Sequence, residues 1–324
     1  MPTPDTICQL LEDTPPGGCR TIRLDPSAPP VLSHSLSIRT SGRGHQLCAT
    51  PWPGAEVCMM TFLAPEIHFQ HPPLPEVLEL FYVHSGRVGW NLDDGSALYL
   101  GPGDLTLHAT HRCTDSAMML PLGYAQGVSI ALDLPRFLAE LPPLLAESGY
   151  DPAVLRRGLA TTLTLPASPA LAAIFTPLYA IRPPRRLPWL RLRLLELLLY
   201  LEENDSAPPT PHYPSQQTER IREIHAFLIS HLDERHTTDD LAARFAINTT
   251  TLKQVFKAVY GQPIHTYMRE YRMREARRLL LESDASIADI AARVGYETQS
   301  KFTQTFKAVT GTLPRDVRKQ GPQA

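Results

Sequence analysis

The chain changes texture twice along its length. From about residue 34 to 134 the apolar positions come in short runs: "AEVCMMTFLA", "VLELFYVHSGRVGWNLDDG", "SALYLGPGDLTLHA" and "GVSIALD". They are rich in β-branched and aromatic residues and broken by Gly and Pro, which predicts several short strands in an antiparallel sandwich or barrel. "NLDDGS" (91–96) predicts a hairpin turn, because Asp-Gly supplies the positive φ that a tight connection requires. From 135 to 205 the spacing becomes helical, ending in a Leu-rich segment (187–205) that is apolar around much of its circumference. Such a helix must be covered, either by its own strand domain or by the same helix of a second subunit. Residues 206–217, "SAPPTPHYPSQQ", carry four prolines and no apolar periodicity and read as a linker. Everything from 218 onward reads as helix, with Thr218 placed to cap the first, "ERIREIHAFLISHL".

Within that last third the chain repeats itself. "FKAVYG" (256–261) returns as "FKAVTG" (306–311), and "TTDDLAARFA" (237–246) faces "SIADIAARVG" (286–295). Each copy opens with a hydroxyl residue three before an acid, Thr237 with Asp240 and Ser286 with Asp289, the spacing of a capping box. A turn follows, then a second helix with Asn248 or Thr298 as its N-cap. Leu252, Val255, Phe256 and Val259 fall at i, i+3, i+4 and i+7 and form one apolar face, repeated by Phe302, Phe306 and Val309. The opposite face carries Thr250, Gln254 and Lys257 with Lys253 on its flank, and in the second copy Ser300, Gln304 and Lys307 with Thr303.

Two short helices and a tight turn, the second helix polar and basic outside, describe a helix-turn-helix. Gln pairs bidentately with adenine, Lys donates to guanine, and Ser or Thr reach bases or phosphates. Between the copies runs "PIHTYMREYRMREARRLLLES" (263–283), a continuous helix of about 30 Å, close to one duplex turn of roughly 34 Å. Such a rod sets two reading helices into successive major-groove segments.

Charge changes the picture modestly. From 218 to the end there are 17 Lys and Arg against 13 Asp and Glu, whereas residues 1–217 hold 14 against 20. A basic third behind an acidic front points to a polyanionic partner. Five cysteines without a CxxC pair argue against a disulfide framework or a thiolate zinc site, and predict plain thiols. No basic-then-apolar leader opens the chain and no apolar stretch is long enough to span a bilayer, so a cytoplasmic protein with no membrane partner is expected.

Residues 218–320 resemble the DNA-binding domain of the AraC/XylS family of bacterial transcription regulators. The resemblance rests on "LAARFAINTTTLKQVFKAVYGQPIHTYMREYRMREARRLL" and "SIADIAARVGYETQSKFTQTFKAVTGTLPRDVRK". It implies an α+β chain: a cupin-like β-barrel sensor domain (1–134), a helical dimerisation or packing segment (135–205), the linker (206–217), and an all-α domain with two helix-turn-helix motifs (218–324). It also implies double-stranded promoter DNA and RNA polymerase as partners, and a front domain that binds a small effector in its barrel or dimerises, so that a homodimer is one expected partner. Its base-contacting positions fall on Thr250, Lys253 and Gln254 in the first reading helix and Gln299, Ser300, Thr303 and Gln304 in the second. Ala246 stands where the family commonly has Gly, and Gln254 and Gln304 where it often has Arg. The overall layout is also similar to regulators of siderophore synthesis and uptake, such as those for pyochelin and yersiniabactin.

A cupin-like front domain raises the alternative of a metal-dependent enzyme. Metal-binding members place a close His pair shortly before a Glu; here Glu79 is preceded by "PPLP" (72–75), with His68 and His71 too early and His108 late. A metal needs three or four converging ligands, so no metal, cofactor or catalytic residue is expected. Alternation puts Leu78, Leu80, Tyr82 and His84 on one strand face and Glu79, Phe81 and Val83 on the other, with the inward face undecided. His68, Tyr82, Trp90 and His108 are the candidates for stacking on or hydrogen bonding to an effector. A third alternative is a front domain that only dimerises.

Overall fold

The two faces of Val77–Gly86 meet different surroundings. Leu78, Leu80 and Tyr82 join one apolar core, and Phe81 and Val83 join another. Successive side chains of a strand point to opposite sides, so a strand apolar on both faces is covered on both. This split organises the first of two compact units, which meet between Pro214 and Ser215 in the chain. The computed structural model describes residues 4–33, 35–92, 94–112, 115–181, 185–204 and 211–319.

The strands of the first unit are β1 (Gly18–Arg23), β2 (Ser37–Thr40), β3 (Arg43–Trp52), β4 (Ala55–Leu63), β5 (Glu66–Gln70), β6 (Val77–Gly86) and β7 (Val88–Asn91). They continue with β8 (Ser96–Leu100), β9 (Leu105–Ala109), β10 (Asp115–Met119), β11 (Tyr124–Asp133), β12 (Leu163–Leu165) and β13 (Tyr213–Pro214). Seven form a sheet in the order β1-β3-β4-β11-β6-β9-β12, and six a second in the order β13-β8-β7-β10-β5-β2. β1 pairs parallel to β3, while the long central pairs of β11 with β4 and β6 are antiparallel. These are two open sheets rather than the closed barrel expected. Phe62, Phe81 and Val83 of the first sheet meet Ile67, Trp90, Leu98 and Met118 of the second. The expected hairpin joins β7 to β8, with the Leu92 amide donating to the Ser96 carbonyl at 2.7 Å; Asp93 in its turn lies outside the described residues.

Helices α1 (Pro4–Leu10), α2 (Leu134–Ala139), α3 (Pro143–Ser148), α4 (Ala153–Ala160), α5 (Pro169–Phe175) and α6 (Arg186–Glu203) complete this unit. Phe137, Leu155, Phe175, Leu194 and Leu198 cover the outer face of the first sheet against Leu80, Tyr82 and Ile130. Each large side chain so buried contributes about 1.5–3 kcal/mol. The Leu-rich helix α6 therefore covers its own sheet with Leu190, Leu194, Leu195, Leu197, Leu198 and Leu201, and leaves Trp189 and Leu192 exposed. Within the segment expected to be helical, Leu163–Leu165 forms an edge strand on β9.

Two expectations need correction here. Cys48 and Cys58, register partners on β3 and β4, are joined as a disulfide. The hairpin register brings together sulfurs ten residues apart, which a search for CxxC spacing misses. Of the expected linker, residues 206–210 lie outside the described residues, Tyr213–Pro214 pairs with β8, and helix begins at Ser215.

The second unit is entirely helical: α7 (Ser215–Ser230), α8 (Thr238–Arg244), α9 (Thr249–Tyr260), α10 (Ile264–Glu282), α11 (Ile287–Arg293), α12 (Gln299–Thr310) and α13 (Pro314–Arg318). Thr218 is not the cap of α7. It sits one turn inside, fully buried, donating its hydroxyl to the Ser215 carbonyl at 2.9 Å. The connecting rod α10 is unbroken over 19 residues, about 28 Å. No helix among the described residues is long and apolar enough to cross a membrane.

Candidate nucleic-acid interface

Each motif is built by the same local chemistry. Thr237 Oγ1 accepts from the Asp240 amide at 3.1 Å while Asp240 Oδ2 accepts from the Thr237 amide at 3.0 Å. Ser286 and Asp289 reciprocate in the same way at 3.1 and 3.3 Å. The hydroxyls and amides of Thr237 and Ser286 hold both carboxylates below their usual range, so the caps are charged and intact at neutral pH. Asn248 Oδ1 accepts from the Thr250 amide at 2.8 Å to start α9, and Thr298 Oγ1 from the Lys301 amide at 3.3 Å to start α12. The repeated hexapeptide closes both helices: Gly261 and Gly311 stop them in the left-handed conformation, at φ 82° and 76°.

Leu252, Val255, Phe256 and Val259 are buried, as are Phe302 and Phe306. Val309, expected on the same apolar face, is instead exposed at 36%. The buried seam turns the polar faces outward. Thr250, Lys253, Gln254 and Lys257 on α9, and Gln299, Ser300, Gln304 and Lys307 on α12, are exposed, with Thr303 half-buried beside them. Gln299, Ser300, Thr303, Gln304 and Lys307 line one shallow hollow. The connecting helix α10 packs against both α9 and α12. The turns of the two motifs differ. The first uses Ala246 at φ 48°, its carbonyl bonded by Arg220 at 3.2 Å. The second is one residue longer and uses Gly295 at φ 77°.

In the first unit a cavity of about 60 Å³ lies between the sheets. Trp90 and His108 line it, together with His71, Glu79, Phe81 and Ser129. Glu79 takes a hydrogen bond from the Ser129 hydroxyl at 2.6 Å and faces His108 at 3.4 Å. Burial pushes its pKa up, but the hydrogen bond and charge of His108, the Ser129 hydroxyl and the charge of His71 outweigh it, so Glu79 lies below the usual carboxylate range. The other two candidates sit elsewhere. Tyr82 points to the opposite face and stacks on Phe175 at 4.0 Å. His68 is exposed and paired with Glu66 at 3.2 Å. The strand face of Glu79 and Phe81 turns toward the cavity, and His71, which the spacing argument excludes, also lines it from the chain just after β5.

Among the described residues one acid-and-thiol group has metal-binding proximity: Cys48, Glu56 and Cys58. Its chemistry is already committed. The sulfurs are bonded to each other, and Glu56 accepts from Arg23 Nη1 at 2.7 Å, from the Ser33 hydroxyl, and from the amides of Val31, Leu32 and Ser33. That carboxylate fastens the 31–33 segment onto β4.

Residues 241–320 match the family model described as a helix-turn-helix domain. Over 252 residues the chain is 27% identical to the thermoregulatory protein LcrF of Yersinia pestis, covering 74% of this chain and 88% of that one. It is 41% identical over 83 residues to a putative AraC-like transcription regulator of Streptomyces lividans, 26% of this chain and 27% of the other. A solved structure, the DNA-binding domain of the global transcriptional factor AdpA in complex with a target DNA, is 27% identical. It covers 31% of this chain and 91% of its own, with a TM-score of 0.30. The chain thus carries a helix-turn-helix domain of the kind found in AraC-type transcription regulators.

Proposed function

We propose that the protein is a cytoplasmic, sequence-specific regulator that binds double-stranded promoter DNA through α9 and α12 and activates transcription by contact with RNA polymerase. One observation carries the reading: two matched helices, each capped, each with its apolar side buried and its Gln, Thr, Ser and Lys outward, adjoin one unbroken rod about one duplex turn long. Base readers in this reading are Thr250, Lys253, Gln254, Gln299, Ser300, Thr303 and Gln304, with Lys257 and Lys307 adding charge. The test is to titrate the full chain against duplexes it selects from a random pool, at several salt concentrations. Selection of one bipartite motif, with affinity falling steeply as salt rises, is the expected result; equal binding to every duplex overturns it.

The domains in this reading are a cupin-like sensor (1–134) with its helical segment (135–205), and the DNA-binding part from 218. The sensor cavity is the space beside Glu79, His71, His108 and Trp90. It is smaller than the roughly 150 Å³ in which an apolar pocket holds benzene, and far below the roughly 300–1,000 Å³ of drug-sized sites. The effector is therefore a compact polar molecule that can bond Glu79 or His108. The siderophore link, which rests on the layout of the sequence, concerns the promoters controlled rather than the molecule bound. A second reading, a front unit that only dimerises, is favoured by the exposed Trp189 and Leu192 on α6. Sedimentation of Trp189→Ser and Leu192→Ser against the unaltered chain separates the two.

A further inference from the structure

Between the two motifs lies a groove of about 590 Å³ whose walls are unusually basic. His265, Arg269 and Arg272 follow one another at i, i+4 and i+7 along α10 and form a single stripe facing it. Lys253 of α9 closes one side, and Arg235, from the segment before α8, the other. Asp239 is the one acid among the lining residues, and its Oδ1 already accepts from the Thr249 hydroxyl at 3.4 Å.

The four cations, with His265 beside them, divide into two kinds. Arg272 is tied down, its Nε donating to the Leu232 carbonyl at 3.1 Å and its Nη2 to that of Glu234 at 2.6 Å. Arg235 donates to the Gly295 carbonyl at 3.3 Å and lies over the Tyr296 ring. These two brace the first motif's leading loop against the rod and the second motif's turn, while leaving their charge in place. Lys253, His265 and Arg269 are exposed and make no ion pair among the described residues. Clustered cations without acidic partners repel one another, and an incoming polyanion relieves that cost.

We propose that this groove seats the phosphodiester backbone of the duplex where it passes between the two segments read by α9 and α12, with Arg269 and His265 as the contacting groups and Arg272 and Arg235 as its charged floor. The inference rests on the DNA-reading function proposed above and adds a contact surface that the reading helices do not supply. Lys253 belongs to both surfaces, so the groove opens onto the reading face. A strand entering one major groove and leaving by the next must cross the rod, and the stripe lies there.

The test uses the full chain and a duplex it selects from a random pool. Arg269→Ala is expected to weaken binding by about tenfold on every selected duplex alike, and to lower the slope of log K against log salt by about 0.9, the signature of one lost phosphate. Arg269→Lys should restore the slope. Ethylated phosphates that block the unaltered chain should lie between the two base-contact clusters and cease to block the Arg269→Ala variant. Unchanged affinity and slope in Arg269→Ala, while Gln254→Ala and Gln304→Ala lose base discrimination, overturns the groove and leaves the reading helices standing. Failure of the unaltered chain to select any sequence overturns both.

Discussion

Glu79 and His108 are direct cross-strand partners on β6 and β9, and their side chains meet Oε2 to Nε2 at 3.4 Å beside the cavity between the sheets. Because His108, Ser129 and His71 together overcome the cost of burial, the folded state holds the Glu79 proton less tightly than the unfolded chain does. A carboxyl depressed in the folded state contributes stability that is complete above its unfolded value, about 4.3, and is lost as pH falls through the lower folded value. Glu79→Gln is therefore expected to destabilise the first unit by about 1–2 kcal/mol at pH 7, with the difference from the unaltered chain shrinking as pH falls below about 4.3. All three tryptophans, Trp52, Trp90 and Trp189, belong to the first unit, so urea unfolding followed by tryptophan fluorescence reads it alone in the full chain. A difference that stays constant with pH would show that the carboxylate is not depressed.

The two motif turns make opposite predictions. Ala246 holds φ 48°, a conformation that costs a side-chain-bearing residue about 1–2 kcal/mol. Ala246→Gly should stabilise the second unit by about 1 kcal/mol, raising the calorimetric transition that carries no tryptophan signal.

At Gly295 the same exchange reversed should be severe. A Cβ there would lie 2.6 Å from the Leu232 carbonyl oxygen, which is backbone and cannot swing away. Gly295→Ala should lower that same transition by more than about 2 kcal/mol, adding overlap to the left-handed strain. Equal effects at the two turns would mean that the turns are not the asymmetric pair described.

Gln254 and Gln304 occupy matching exposed positions on α9 and α12. Their alanine variants should each lose about 1–3 kcal/mol of discrimination, at base pairs in separate halves of the site. Competition with single-base-pair variants of a selected duplex measures this. A uniform loss over the whole site would assign both residues to the backbone.

The Cys48–Cys58 bond predicts a labelling pattern. Alkylation of denatured, unreduced protein should leave peptides 48 and 58 unmodified and label Cys8 and Cys19. Labelling of Cys48 or Cys58 without reductant would show dithiols instead.

What was legible depended on how local the signal is. The caps at Thr237, Asn248, Ser286 and Thr298, the outward Gln and Lys positions and the unbroken rod are fixed by residues within a few positions of one another, and their chemistry is visible in the string. The sheets are not local. Alternation separated Glu79 and Phe81 from Leu80 and Tyr82, but which face meets the second sheet and which meets α5 depends on elements far along the chain. Alternation alone therefore allows Tyr82 a place at a cavity it turns away from, while His71 is near in space but has the wrong spacing in the chain. Trp90 and His108 reach the cavity; His68 points to solvent. The cysteine pair was hidden for the same reason, since its partner is set by hairpin register. Thr218 shows the limit even of local signals: a good capping residue was present, but the helix found a start three residues earlier.

The bond from Arg235 to the Gly295 carbonyl, with Arg272 holding the carbonyls of Leu232 and Glu234, ties the first motif's leading loop to the rod and to the second motif's turn. Such a protein works as a gauge with no adjustment. On the proposed two-half readout, adding one base pair between the halves of the target rotates them by roughly 34° about the duplex, against the ties between the motifs. Genomic sites for it should accordingly tolerate changes of letter far better than changes of length.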